Sequence, residues 1–200
     1  MSKIDKIIKI QSIIRKYLVR KKYLIPSSYY QTKIWRKKQK WYKGGKHNEC
    51  EKYQISLLEK ITQQQWNKTN YRLNIITFNL VNKIFPLKNI NGLEFTENFD
   101  GIIKTNNFYY FNLKFICDSG GAQTRNLRDV YHFLYYQLEH LIKYKTTNIY
   151  FLNILDGDTF YNNIDKLKFL VNKKRYNKIK KYLFIGDMFT FQKFWILKNI

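Results

Sequence analysis

Cysteine, proline and acidic residues are all scarce in this chain. The two cysteines, Cys50 and Cys117, cannot build a disulfide scaffold. One lies in an apolar run, so reduced thiols inside a cell, in cytoplasm or nucleus, are the expected state. The two prolines, Pro26 and Pro86, each close a patterned segment. No uncharged apolar run approaches the roughly 20 residues that span a bilayer, so no membrane partner is expected. The N-terminus is basic and amphipathic without a signal-peptide core, so secretion is not expected either. No P-loop, GxSxG or dinucleotide fingerprint occurs. His47-x-x-Cys50 lacks a second ligand pair, which argues against zinc.

Acids number 14 against 37 lysines and arginines, a net charge of +23. Such an excess suits a polyanionic partner. Part of it reflects a chain rich in Lys, Asn, Ile and Tyr, the residues of A/T-rich codons. Distribution is more telling than the total. Residues 1–46 hold 15 Lys/Arg and a single acid, Asp5, whereas 47–200 hold 22 and 13. The reading is a basic arm over 1–46 and an α/β domain over 47–200.

The arm begins with helical periodicity over 3–24, on Ile7, Ile10, Ile14 and Leu18, with Lys and Arg between them. A basic aromatic connector follows, with Gly44-Gly45 as its hinge. Trp35, Trp41, Tyr29, Tyr30 and Tyr42 interleave there with cations, a pattern that suits stacking on nucleic acid. Beyond it, 49–66 reads as a helix, and 70–85 as a second helix or a buried run. Three short β segments come next: Leu93–Phe99, Asp100–Lys104 and Phe108–Cys117. "SGGAQTR" reads as a loop and 126–144 as the clearest helix, capped by Thr124 or Asn126. A buried strand at 148–155, a helix at 160–173 and a strand at 181–186 complete the order. Asp156-Gly157-Asp158 reads as a turn whose acids merit mutation. His132 and His140 read as packing or surface residues.

The segment "FYYFNLKFIC" alternates. Phe111, Leu113, Phe115 and Cys117 share one face; Tyr110, Asn112, Lys114 and Ile116 share the other. A lysine in a central strand needs a partner or a task. With a three-residue loop at Thr105-Asn106-Asn107, Asp100 faces Asn112. With two residues it faces Leu113 and lies diagonal to Asn112. Either register brings a carboxylate, an amide and an ammonium together. Mg²⁺ accepts such oxygen ligands and keeps several waters. Lys114 would then position or activate a water and offset charge on a phosphate.

"FDG" at 99–101 and "NLK" at 112–114 resemble the PD-(D/E)xK nuclease superfamily, type II restriction endonucleases in particular. "GGAQTRNLRDVYHF" (120–133) is similar to restriction-enzyme sequence after the catalytic strand. The resemblance covers roughly 70–190 and departs at Asn112, where the family usually has Asp or Glu. It implies a restriction-endonuclease-like mixed central sheet flanked by helices. It also implies a Mg²⁺-dependent DNA endonuclease hydrolysing phosphodiesters through Asp100, Asn112 and Lys114. The expected metal ligands are Asp100 and Asn112, with Glu94 or Glu97 compensating for the missing acid. Gln123, Arg125 and Arg128 are candidates for contact with double-stranded DNA, through base edges or phosphate. Such enzymes cut duplexes most readily as dimers, so a homodimer is expected. The rival reading is a non-catalytic protein on a decayed nuclease fold, binding nucleic acid or calmodulin.

Within the arm, "IQSIIRKYLVRKKY" (10–23) is similar to the IQ motif of calmodulin-binding proteins. Ile10, Gln11, Arg15, Arg20 and Tyr23 fit the pattern, and Lys16 replaces its glycine. A calmodulin-like partner for residues 3–25 is therefore expected, beside two plainer roles: lying along DNA phosphates or docking on the rest of the chain.

Overall fold

The computed structural model describes residues 36–40, 49–117 and 121–198. The expected arm helix, the expected hinge at Gly44-Gly45 and the IQ-like segment lie outside the described residues.

The centre is a four-stranded mixed sheet built from β4 (Gly101–Lys104), β5 (Phe108–Phe115), β6 (Ile149–Asp156) and β7 (Leu183–Gly186), in that spatial order. β4 runs antiparallel to β5, and β5, β6 and β7 are mutually parallel. The parallel joins need helical crossovers. They are α2 (Gly121–Tyr144) and α3 (Asp158–Val171). α1 (Glu49–Thr62) and α4 (Met188–Lys198) complete the helices around the sheet. The protein is thus mixed α/β.

The alternation along β5 is realised. Tyr110 and Ile116 join a core with Leu134 and Leu138 of α2 and Phe160 and Leu170 of α3. Phe111 and Leu113 join another with Leu58 of α1 and Phe191 and Trp195 of α4. A strand covered on both faces reads as an apolar run with few breaks, as this one does.

Residues 70–85 are neither a helix nor one buried run. They form β1 (Tyr71–Asn74) and β2 (Leu80–Asn82), an antiparallel pair. Asn74 Oδ1 accepts from the N–H groups of Ile76 and Thr77, an Asx turn that reverses the chain. The segment Leu93–Phe99 yields only β3 (Thr96–Asn98), which pairs with β1 in this separate three-stranded sheet rather than with β4. α2 begins at Gly121, so Gln123 and Arg125 sit on its first turn and not in a loop. Ala, Gln and Arg are good helix formers, and they outweigh the neighbouring glycine.

α4 was not foreseen. "MFTFQKFWILK" is apolar around most of its circumference, so no amphipathic period announces it. Its start is secured from two sides. Asp187 Oδ1 accepts from the Thr190 N–H at 2.8 Å, and Asp156 Oδ1 accepts from the Met188 N–H at 3.0 Å. Asp156 Oδ2 also accepts from Gln54 Nε2 at 2.6 Å, which ties α1 to α4 beneath the sheet. Asp156 is therefore a buried structural acid, and Asp158 opens α3. Between them Gly157 has φ 118°, and a Cβ there would strike the Ile116 carbonyl.

Candidate functional site

β4 and β5 pair with Gly101 opposite Phe111 and Lys104 opposite Phe108. This is the three-residue-loop register, and it carries Asp100 to the level of Asn112. Gly101 is glycine for a local reason: a Cβ would enter the Trp66 indole. β4 pairing ends there, which leaves the next β5 donor, the Leu113 N–H, facing Asp100. Asp100 Oδ2 accepts from it at 2.6 Å, so the carboxylate prolongs the ladder and is fixed in place.

Asp100, Asn112 and Lys114 line one cleft of about 260 Å³. Glu97 and Asn98 of β3 border it, as do Asn126 and Asp129 of α2. Lys114 is exposed to this cleft rather than buried, because β5 runs past the end of β4 at this point. Asn112 is only 2 % exposed. Its Nδ2 donates to Asn153 Oδ1 at 3.0 Å, which leaves Oδ1 as its oxygen for the cleft. Asn153 sits directly opposite on β6 and is wholly buried. It exchanges hydrogen bonds with Gln137 of α2 at 3.1 and 2.8 Å and donates to the Phe184 carbonyl at 3.2 Å. The sheet centre thus carries a satisfied polar network that orients Asn112.

Burial pushes the Asp100 carboxyl above its usual range, against the opposing pull of Lys114 and the Leu113 N–H. Desolvation also raises Glu97, opposed by Lys114 and reinforced by Asp129. Two carboxyls held above their usual range are poised to gain from a cation. The lining side chains include carboxylate and amide oxygens, donors of the kind Mg²⁺ accepts. One or two carboxylates with retained waters suffice for it. Among the described residues no three His, Cys, Asp or Glu side chains are grouped so as to hold a metal ion.

A prediction follows from the sign of the Asp100 shift. Its folded pKa lies above the unfolded value near 3.8. Its stabilising contribution is full below that value and is lost as pH rises through the folded pKa. At neutral pH, without divalent ions, Asp100 therefore opposes folding. Asp100→Asn keeps an oxygen for the Leu113 N–H and raises Tm at pH 7, with little gain at pH 4. A Mg²⁺ ion held by Asp100 would raise the wild-type Tm and leave that of the variant unchanged. Calorimetric melts at the two pH values, with and without Mg²⁺, check both statements.

The other expected residues fall elsewhere. Glu94 is outside the cleft lining, 3.9 Å from Lys88; Glu97 borders the cleft instead. Gln123 and Arg128 line a different cavity, beyond the opposite face of α2, and Arg125 is exposed. His132 stacks on Tyr136. His140 is buried, with Nδ1 2.7 Å from the Phe78 carbonyl oxygen, and burial lowers its pKa. Asp129, Asn126 and Asn153 were missed. Asp129 and Asn126 follow from helical phase once α2 is extended to Gly121. Asn153 is signalled by an amide inside the apolar strand "NIYFLNIL".

The fold and cleft define a mixed α/β protein with an acid–amide–amine cluster at the edge of its central sheet. A family model for the IQ calmodulin-binding motif matches residues 4–24. Neither the curated proteins nor the solved structures contain a match. No helix among the described residues is long and apolar enough to cross a membrane.

Proposed function

We propose that the protein is a Mg²⁺-dependent DNA endonuclease with a restriction-endonuclease-like core. The observation that supports this is the meeting of Asp100, Asn112 and Lys114 in one cleft. Asp100 and the Asn112 amide oxygen would hold the ion, with Glu97 replacing Glu94 as the nearby second acid. The bound ion would polarise a phosphodiester and offset charge on it. Lys114 supplies a mobile ammonium on a strand anchored by both cores. It orients a water toward phosphorus and meets charge developing on the phosphoryl oxygens. Asn153 keeps the Asn112 oxygen aimed outward. Cutting both strands calls for two such clefts, hence a homodimer. The net charge of +23 favours the phosphate backbone of double-stranded DNA. Supercoiled plasmid incubated with the protein becomes nicked or linear in Mg²⁺ and stays supercoiled in EDTA. Intact plasmid across a panel of divalent metals would instead favour a non-catalytic binding protein on the same fold.

A second reading concerns the arm and is compatible with the first. The IQ match supports a calmodulin-like partner on residues 3–25. A basic amphipathic helix lays its apolar stripe in a hydrophobic groove and its cations on the acidic rim. Titration of the full chain with calmodulin, in Ca²⁺ and in EGTA, is expected to give one-to-one binding. Ile10→Asp with Arg15→Glu weakens it at least about tenfold, by removing one apolar anchor and one rim cation. Binding unchanged by these substitutions would place the calmodulin contact outside the IQ segment.

A further inference from the structure

α2 separates two cavities of opposite electrostatic character. The cleft on one side has Glu97, Asp100 and Asp129 against one cation, Lys114. The cavity on the other side, between α2 and α3, measures about 450 Å³, within the size range of small-molecule sites. Its lining includes two cations, Arg128 and Lys166, and no acid. Leu127, Leu167 and Tyr131 give it apolar and aromatic walls. Gln123 and Asn163 place amides among them, and Gln123 Oε1 is buried without a hydrogen-bond partner among the described residues. Lys166 Nζ is held 2.8 Å from Asn163 Oδ1, so it is positioned without being neutralised.

These features answer one ligand chemistry. Two unneutralised cations select a phosphate. A tyrosine between leucines selects a flat heterocycle. An orphaned amide acceptor selects an N–H on the edge of that heterocycle. We infer that this cavity binds a nucleoside monophosphate moiety, with phosphate on Arg128 and Lys166 and base beside Tyr131 and Gln123. The moiety comes either as a free mononucleotide or as an unstacked nucleotide of a strand. The site shares no lining residue with the acidic cleft and does not rest on the nuclease reading.

Calorimetric titration of the full chain in EDTA, with AMP, GMP, CMP and UMP in turn, tests it. At least one of them binds. Arg128→Gln and Lys166→Gln each weaken that binding tenfold or more, while Asp100→Asn leaves it unchanged. Arg128 is exposed, so its substitution leaves the fold intact, which circular dichroism checks. Inorganic phosphate and the free nucleoside each bind at least tenfold more weakly than the nucleotide. A 2-aminopurine oligonucleotide distinguishes the sources. A fluorescence rise lost in Arg128→Gln assigns a strand-borne nucleotide, and no rise alongside mononucleotide binding assigns the free one. The inference is overturned in three cases: neither probe responds at millimolar concentration, both cation variants bind as wild type does, or phosphate alone binds as well as the nucleotide.

Discussion

On the endonuclease reading, Lys114→Ala is expected to lower Mg²⁺-dependent plasmid cleavage by about 10²–10³-fold or more, the loss typical of a charge that stabilises a transition state. The variant folds as the wild type does. Lys114 is exposed in the cleft, and its truncation opens no cavity in either core. Loss of activity with an unchanged Tm therefore isolates chemistry from stability. A second readout reports the electrostatic part of its role. Lys114 lowers the pKa of both Asp100 and Glu97, against the desolvation that raises them. Removing it lets both rise further. Carboxylates must be ionised to hold a cation, so the acid limb of any residual cleavage moves to higher pH. Gel quantification of plasmid nicking between pH 5 and 9 reads both effects. Cleavage at the wild-type rate in Lys114→Ala would remove the site from consideration.

The largest effect on stability is expected at Asn153→Ala. Asn153 has no exposure and makes four hydrogen bonds: two with Gln137, one with Asn112 and one with the Phe184 carbonyl. Alanine leaves those partners buried and unpaired at about 1–3 kcal/mol each, less what relaxation recovers. A loss on the order of 4 kcal/mol is a large share of the 5–15 kcal/mol that domains typically hold. Urea denaturation is expected to show the midpoint falling with an unchanged slope. The asymmetry of buried polar networks supplies the control. Replacing Asn112, Gln137 and Asn153 together by leucine removes all three side chains' demands at once and recovers much of the loss. That triple variant should be folded but inactive, since the amide at 112 has gone. A triple variant no more stable than Asn153→Ala would mean that shape, and not polar pairing, governs this layer.

Much of the site was legible because it rests on a period of two and a short loop. Alternation placed Asn112 and Lys114 on one face of β5, and the Thr105-Asn106-Asn107 turn limited Asp100 to two registers. Glu94 and Glu97 stay alternatives in the sequence because the path between β3 and β4 cannot be read locally. β3 pairs with β1 in another sheet, which leaves Glu97 at the cleft and Glu94 beside Lys88. Residues 70–85 were misread because apolar residues at mixed spacings satisfy helix and strand templates equally. The Asx turn at Asn74 decides between them only when its partners are seen. α4 offers no amphipathic period to detect, because apolar residues lie around most of its circumference although only the stripe of Met188, Phe191, Gln192 and Trp195 is buried.

The amino-acid order alone determined the basic composition and IQ pattern of the first 46 residues, the α/β class and the two-faced strand that carries the lysine. These are properties of composition and of short repeating periods, which neighbouring residues settle among themselves. The tertiary structure decided which acid borders the cleft, which cavity receives Gln123 and Arg128, and which amide orients Asn112. Those outcomes depend on pairings dozens of residues apart, such as Asn112 with Asn153 and Asp156 with Gln54. Such pairings are fixed by packing two cores against one sheet, and no local window of sequence contains that information.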